Sequence, residues 1–243
     1  MAVIYGVNPV LEQLAAEPKR IEHLYLPRGP LRGRLGRVVR LARERGVAVT
    51  FLERKALDRL AGAGEHQGAV AEVGEYDYAT LDEILKELGG QERPKAPARV
   101  VVLDGVQDPR NLGSVVRSAV GAGADGVVIA QRRAASMTAA AVKASAGAAA
   151  AARVARVTNL ARALERFKGA GLWCVAVEAG GEKDVRALDP GLDYALVFGG
   201  EGKGARRLVR ERCDLTARIP MRGPLDSLNV SVAVGVTLFA LLP

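Results

Sequence analysis

Residues 104–126, DGVQDPRNLGSVVRSAVGAGADG, lie between two short apolar runs, VVVL at 100–103 and GVVIA ending at Ala130. Aliphatic runs of this length, bounded by polar residues, read as buried strands. The segment between them opens as a polar loop carrying Asn111 and continues as a short helix carrying Arg117. That order brings an amide and a guanidinium to the carboxyl edge of a sheet, where open α/β sheets bind their ligands. Two further polar loops near the C-terminus are expected to face the same edge.

The alternation of strand-like and helical segments makes the whole chain α/β. Residues 1–73 read as a small domain. Asn8 is expected to cap NPVLEQLAA, with Pro9 in its first turn. Strands at 21–26, 47–51 and 69–73 alternate with a basic amphipathic helix at 31–45 and a short helix at 55–61. Residues 74–97 turn acidic. They hold an expected helix at 79–88, with Thr80 as its cap, and then GGQERPKAPA, which has the composition of a flexible linker. The chain is therefore divided into a front domain (1–73), an acidic linker (74–97) and a larger α/β domain (98–243). Within the last, a single Ala-rich helix is expected around 136–151. The apolar tail at 230–242 is far short of the roughly 20 residues that cross a bilayer, so it reads as a buried helix.

Charge narrows the partner. The net charge of +8 is focal: residues 19–45 carry a net of +7, residues 131–156 five bases and no acid, and residues 203–222 a net of +5. Basic patches on an otherwise acidic chain concentrate a polyanion, and nucleic acid is the expected partner. The N-terminus, MAVIYGVNPV, lacks the basic head and apolar stretch of an export signal, so a cytoplasmic setting with no membrane partner is expected. The two cysteines, Cys174 and Cys213, read as free thiols.

Several motifs are decoys. Gly121, Gly123 and Gly126 match a dinucleotide fingerprint, but they follow a helix and open a strand, the reverse of what phosphate binding requires. The run GGEGKG at 199–204 lacks the Ser/Thr and the spacing of a phosphate loop. His23 and His66 stand far apart with no cysteine or carboxylate cluster, so neither a metal site nor a histidine triad is expected. His66 fits a structural turn before the strand GAVAEV.

Three segments remain: DPRNLGSVVRSAVGAG (108–123), LVFGGEGKGARRL (196–208) and IPMRGPLDSLNVSVAVGVTLFAL (219–241). In order, spacing and strand context they resemble the three signature motifs of the SpoU/TrmH group of SPOUT methyltransferases. The resemblance covers residues 99–243. Residues 1–73 resemble the L7Ae/L30e-like RNA-binding domain that precedes some members, an arrangement most similar to the RlmB-type branch acting on guanosine 2′-hydroxyls of 23S ribosomal RNA. A tRNA methylase or an antibiotic-resistance ribosomal methylase shares these motifs, and a non-catalytic RNA-binding assembly factor is the alternative outside the enzymes.

The resemblance implies S-adenosyl-L-methionine as methyl donor, a C-terminal trefoil knot and a homodimer that uses the last helix. By motif position, Gly199, Ile219, Met221, Ser227, Leu228 and Ser231 bind the donor, largely through backbone. The glycines of 199–204 then let bare backbone approach the donor. Asn111, Arg117, Glu201 and Asn229 take the catalytic positions. Asn111 is also expected to cap the helix beginning near Leu112, and Asn229 and Ser231 serve equally well as helix-start residues. Arg206, Arg207 and Arg210 are expected to contact RNA or solvent.

Overall fold

The structure, a computed structural model, describes residues 2–62, 66–90, 96–200 and 204–242. The front of the chain runs β1 (Ala2–Tyr5), α1 (Val7–Ala16), β2 (Ile21–Pro27), α2 (Gly33–Glu44), β3 (Val49–Leu52), α3 (Arg54–Ala61) and β4 (Val70–Val73). The sheet order is β1-β4-β2-β3. β1 was not anticipated; it is only four residues long and pairs antiparallel with the distant β4. Gly6, at φ 98°, rather than Asn8, precedes α1, because the chain must turn sharply out of β1 before helix can start. One face of this sheet buries Leu24, Leu26 and Ala71 against Val10 and Leu14 of α1 and Val38 and Ala42 of α2. The opposite face of α2 exposes Arg34, Arg37, Arg40 and Arg43. His66 closes the turn into β4: its Nδ1 accepts from the Gly68 N–H at 3.0 Å, while Nε2 lies 2.8 Å from Asp58.

The segment expected as a linker contains α4 (Leu81–Leu88), capped by a reciprocal Thr80–Glu83 box. The helix is docked, not free. Ile84 is fully buried among strands of the large sheet, and Asp82 and Glu87 pair with Arg166 and Arg153. Its acidity therefore matches basic residues of the domain it covers. Tyr76 also crosses from the front: its hydroxyl donates to the Ala149 and Ala152 carbonyls, and Arg20 lies over its ring. The second half of the expected linker, residues 91–95, lies outside the described residues.

The remaining elements are β5 (Arg99–Asp104), α5 (Pro109–Gly121), β6 (Gly126–Ala130), α6 (Ala139–Ala144), β7 (Val154–Val157), α7 (Leu160–Gly169), β8 (Trp173–Val177), β9 (Lys183–Asp184), β10 (Tyr194–Gly199), α8 (Arg207–Arg210), β11 (Leu215–Arg218) and α9 (Val230–Ala240). The strands form one parallel sheet, ordered β7-β6-β5-β10-β8-β11-β9. Alternation sorts the side chains. Val101 and Leu103 of β5 face α5, α6 and α9, while Val100 and Val102 face α4 and α7. The Ala-rich region is not one helix. It breaks after α6, at Ala146 (φ 48°) and Gly147 (φ 89°), and resumes as a 3-10 turn. Ser145 holds the break by donating to the Val142 carbonyl and accepting from the Ala149 N–H.

Chain direction reverses between β5 and β10. β5 leads outward to β6 and β7, whereas β10 leads the other way, past β8 to β11. Such a switch point opens a crevice at the carboxyl ends of its strands. All the loops singled out in the sequence leave from this edge.

Candidate active site

Helix α5 begins directly beyond β5. Its cap is Asp108, whose carboxylate accepts from the Arg110 N–H at 2.8 Å, and Pro109 occupies the first position. Asn111, expected to be the cap, instead lies inside the first turn with its side chain engaged in a tertiary contact. Its Oδ1 accepts from the Asn229 amide at 3.1 Å. Asn229 caps α9 with the other end of the same side chain, its Oδ1 accepting from both the N–H and the hydroxyl of Ser231 at 2.9 and 2.7 Å. Capping and tertiary bridging are thus one function of one amide, joining two loops 118 residues apart.

Arg117 sits two turns along α5, exposed. Among the described residues it makes no hydrogen bond or ion pair. Its positive charge is uncommitted. Glu201, the remaining expected catalytic residue, lies outside the described residues.

The other wall is a cavity of about 550 Å³ at the ends of β8 and β10, within the range of small-molecule sites. Gly199, Ile219, Met221, Ser227 and Leu228 all line it, as does Asn229. Ser231, turned onto Asn229, does not, and neither do Asn111 or Arg117. The sequence reading missed Glu178 and Asp226, two carboxylates on the lining, and Phe198 and Val230, which make it apolar. Glu178 was detectable in principle. It directly follows β8, the parallel neighbour of β10, so it must open on the same edge.

The glycines need no ligand to explain them. A Cβ on Gly199 would overlap the Gly204 carbonyl carbon and the Ala205 nitrogen, and one on Gly200 would overlap the Gly105 carbonyl oxygen. The loop folds back against its own backbone and against the end of β5. Arg206 fastens it there while its side chain stays exposed, as expected of a residue facing RNA or solvent. Its backbone N–H and Nε donate to the two carboxylate oxygens of the buried Asp104, each at 2.7 Å. Arg207 pairs with Glu211 one turn on, and Arg210 approaches Glu178.

Neither cysteine is poised as a nucleophile. Burial pushes both the Cys174 and the Cys213 thiol up to about 12, so each stays protonated near neutral pH. Among the described residues no cluster of His, Cys, Asp or Glu could hold a metal ion. No described helix is long and apolar enough to cross a membrane.

The dual use of Asn229 can be dissected. Asn229→Ala loses cap and bridge together. It is expected to lower the melting temperature by about 2–4 °C, from a cap contribution of about 1 kcal/mol. Asn229→Ser keeps a capping oxygen but has no amide to reach Asn111. It is expected to melt close to the native chain yet lose activity as the Ala variant is expected to; thermal melts beside an activity assay compare the two.

Comparison with known proteins agrees along the whole chain. Residues 98–239 match the SpoU rRNA methylase family, and residues 3–79 match the family described as RNA 2′-O ribose methyltransferase substrate binding. A putative TrmH family tRNA/rRNA methyltransferase, YacO, of Bacillus subtilis is 41% identical, covering 97% of this chain and 93% of its own. The 23S rRNA (guanosine-2′-O-)-methyltransferase RlmB of Pseudomonas syringae is 41% identical over 98% of this chain and 94% of its own. Among solved structures, the SpoU methyltransferase AviRb from Streptomyces viridochromogenes, in complex with AdoMet, superposes with a TM-score of 0.75 at 26% identity. That match covers 98% of this chain and 88% of AviRb.

Proposed function

Because this chain belongs to the SpoU rRNA methylase family, we propose that it transfers a methyl group from S-adenosylmethionine to a ribose 2′-hydroxyl, that of a guanosine in 23S ribosomal RNA. The observation that carries this reading is the Asn229–Asn111 hydrogen bond. It ties the wall of the cavity to the helix that bears Arg117, so a small molecule in one and a ribose at the other belong to a single site.

The cavity suits the donor on three counts. Its volume is adequate, its apolar floor of Phe198, Ile219, Leu228 and Val230 can take a purine face, and Glu178 and Asp226 can accept from hydroxyl or ammonium groups. When bound, the donor supplies an electrophilic methyl on a sulfonium. Everything else falls to the chain. A ribose hydroxyl is a weak nucleophile until negative charge on its oxygen is stabilised. A guanidinium does not give up a proton near neutral pH, so Arg117 is assigned an electrostatic role, holding the neighbouring phosphate and the developing oxyanion. The proton then leaves to that phosphate or to water. Asn111, held by Asn229, orders the start of the same helix. Ser231 acts indirectly, by fixing Asn229, and Glu201 is retained as an orienting carboxylate.

The proposal includes a cytoplasmic homodimer with a knotted C-terminal segment. Val232, Val236 and Phe239 form an exposed apolar stripe on α9, continued by Leu242 just beyond it, while the other side, Val234 and Leu238, is buried in the core. A helix apolar on both sides belongs in an interface. Val236→Glu combined with Phe239→Glu is expected to give a monomer in sedimentation velocity, where the native chain sediments as a dimer. The knot is carried by membership of the family. Titration calorimetry with S-adenosylmethionine tests the enzyme reading: one site per chain is expected, and no heat of binding would falsify it in favour of a non-catalytic RNA-binding protein.

A further inference from the structure

Beyond β6 the chain presents two arginines that the site described above does not use. Arg132 and Arg133 are both exposed, and among the described residues neither makes a hydrogen bond or ion pair. Arg133 has φ 56°, a left-handed conformation that costs a residue with a Cβ and that glycine adopts freely. The loop around them is nonetheless well fastened. The Gln131 N–H donates to the Val157 carbonyl at 2.8 Å and the Ala135 N–H to the Val106 carbonyl at 2.7 Å. The Met137 N–H donates to the Tyr78 hydroxyl at 2.7 Å. Two unpaired guanidiniums are thus held on a fixed loop, one of them at a backbone position where arginine is a poor structural choice.

Sheet order says where they point in relation to the chemistry. The strands are parallel, so their carboxyl ends line one edge in the order β7-β6-β5-β10-β8. The cavity opens at β10 and β8, and Asn111 follows β5. Arg132 and Arg133 follow β6, on the far side of Asn111 from the cavity, and Arg156, stacked on the Tyr78 ring, lies near the end of β7. The Val106–Ala135 hydrogen bond couples this loop directly to the one that leads into α5. Residues 131–156 contain no acid, and the nearest carboxylate by sequence on the β5 loop, Asp108, is engaged in capping.

We propose that Arg132 and Arg133 grip the phosphodiester backbone of the RNA strand next to the target nucleotide, on the side away from the methyl donor, and so set which ribose reaches Arg117. The proposal rests on the methyltransferase reading. Guanidinium forks match phosphate oxygens and carry no sequence information, so the loop sets register, not base identity.

The test compares the native chain with Arg132→Ala/Arg133→Ala, Arg133→Lys and Arg133→Gly. The readouts are donor calorimetry, binding to a 23S rRNA fragment across a salt series, single-turnover methylation and thermal melts. The double variant is expected to bind donor like the native chain and RNA roughly tenfold or more weakly. Its plot of log affinity against log salt should be shallower by about 1–2 units. Arg133→Lys should keep most of that slope. Arg133→Gly should melt higher by about 2–4 °C, because the left-handed strain is relieved, while binding RNA less well; a merely structural residue would not move in opposite directions. If the native chain binds and methylates RNA and the double variant matches it within twofold in affinity and slope, the grip is overturned and the function stands. If the native chain binds donor but neither binds nor methylates ribosomal RNA, the underlying reading falls and the grip with it.

Discussion

Arg117→Ala is expected to slow single-turnover methylation by roughly 10²–10³-fold, the usual cost of removing one preorganised donor from a developing oxyanion. Melting temperature and donor affinity should be nearly unchanged. The separation follows from the structure: Arg117 is exposed on α5, has no partner among the described residues and does not line the cavity. Alanine is also the better helix former, so the helix loses nothing. Arg117→Lys keeps a charge but not the planar fork, and should fall between the two. Near-native rates in both variants would remove Arg117 from the mechanism. A parallel fall in melting temperature would make its role structural.

Gly199→Ala should have the largest effect on the donor site. A methyl group there meets the backbone of Gly204 and Ala205, not a side chain that can swing aside. Gly199 and the Gly204–Ala205 backbone must separate, and the neighbouring Arg206–Asp104 clamp goes with them. Loss of donor affinity exceeding about 100-fold is expected, with a melting temperature lower by upwards of about 5 °C, the scale of an overpacked core in a chain this size. Gly204→Ala is the matched control. Its φ is 63°, but nothing lies within 4 Å of a built Cβ, so it should cost only local strain of about 1 kcal/mol. Equal behaviour of the two variants in calorimetry would contradict the close-approach account.

These contrasts show what the sequence carried and what it did not. The strand-loop-helix at 100–121 was legible because fully apolar strands and a Pro-initiated helix are local signals. The cavity residues were legible only through the resemblance of three separated motifs. Asn111 was misread as a cap because Asn is a good local cap, while the true cap, Asp108, lies only three residues earlier. Its contact with Asn229 is set by tertiary proximity that no local pattern encodes. Arg206 is surface charge as expected, but its pairing with the buried Asp104 beneath it was not legible. The linker acids Glu87 and Asp82 of α4 found their bases, Arg153 and Arg166, far along the chain. Local chemistry names elements; which charges meet depends on sheet order.

The central claim is donor-dependent methylation of a ribose in large-subunit RNA. It is tested most directly by incubating the purified protein with S-adenosylmethionine and unmodified 23S rRNA, then digesting the RNA to nucleosides for mass spectrometry. The account predicts one 2′-O-methylguanosine per RNA, absent without donor and absent with the Arg117→Ala chain on the same timescale. A methyl group on a base, or none on the RNA at all, would contradict it.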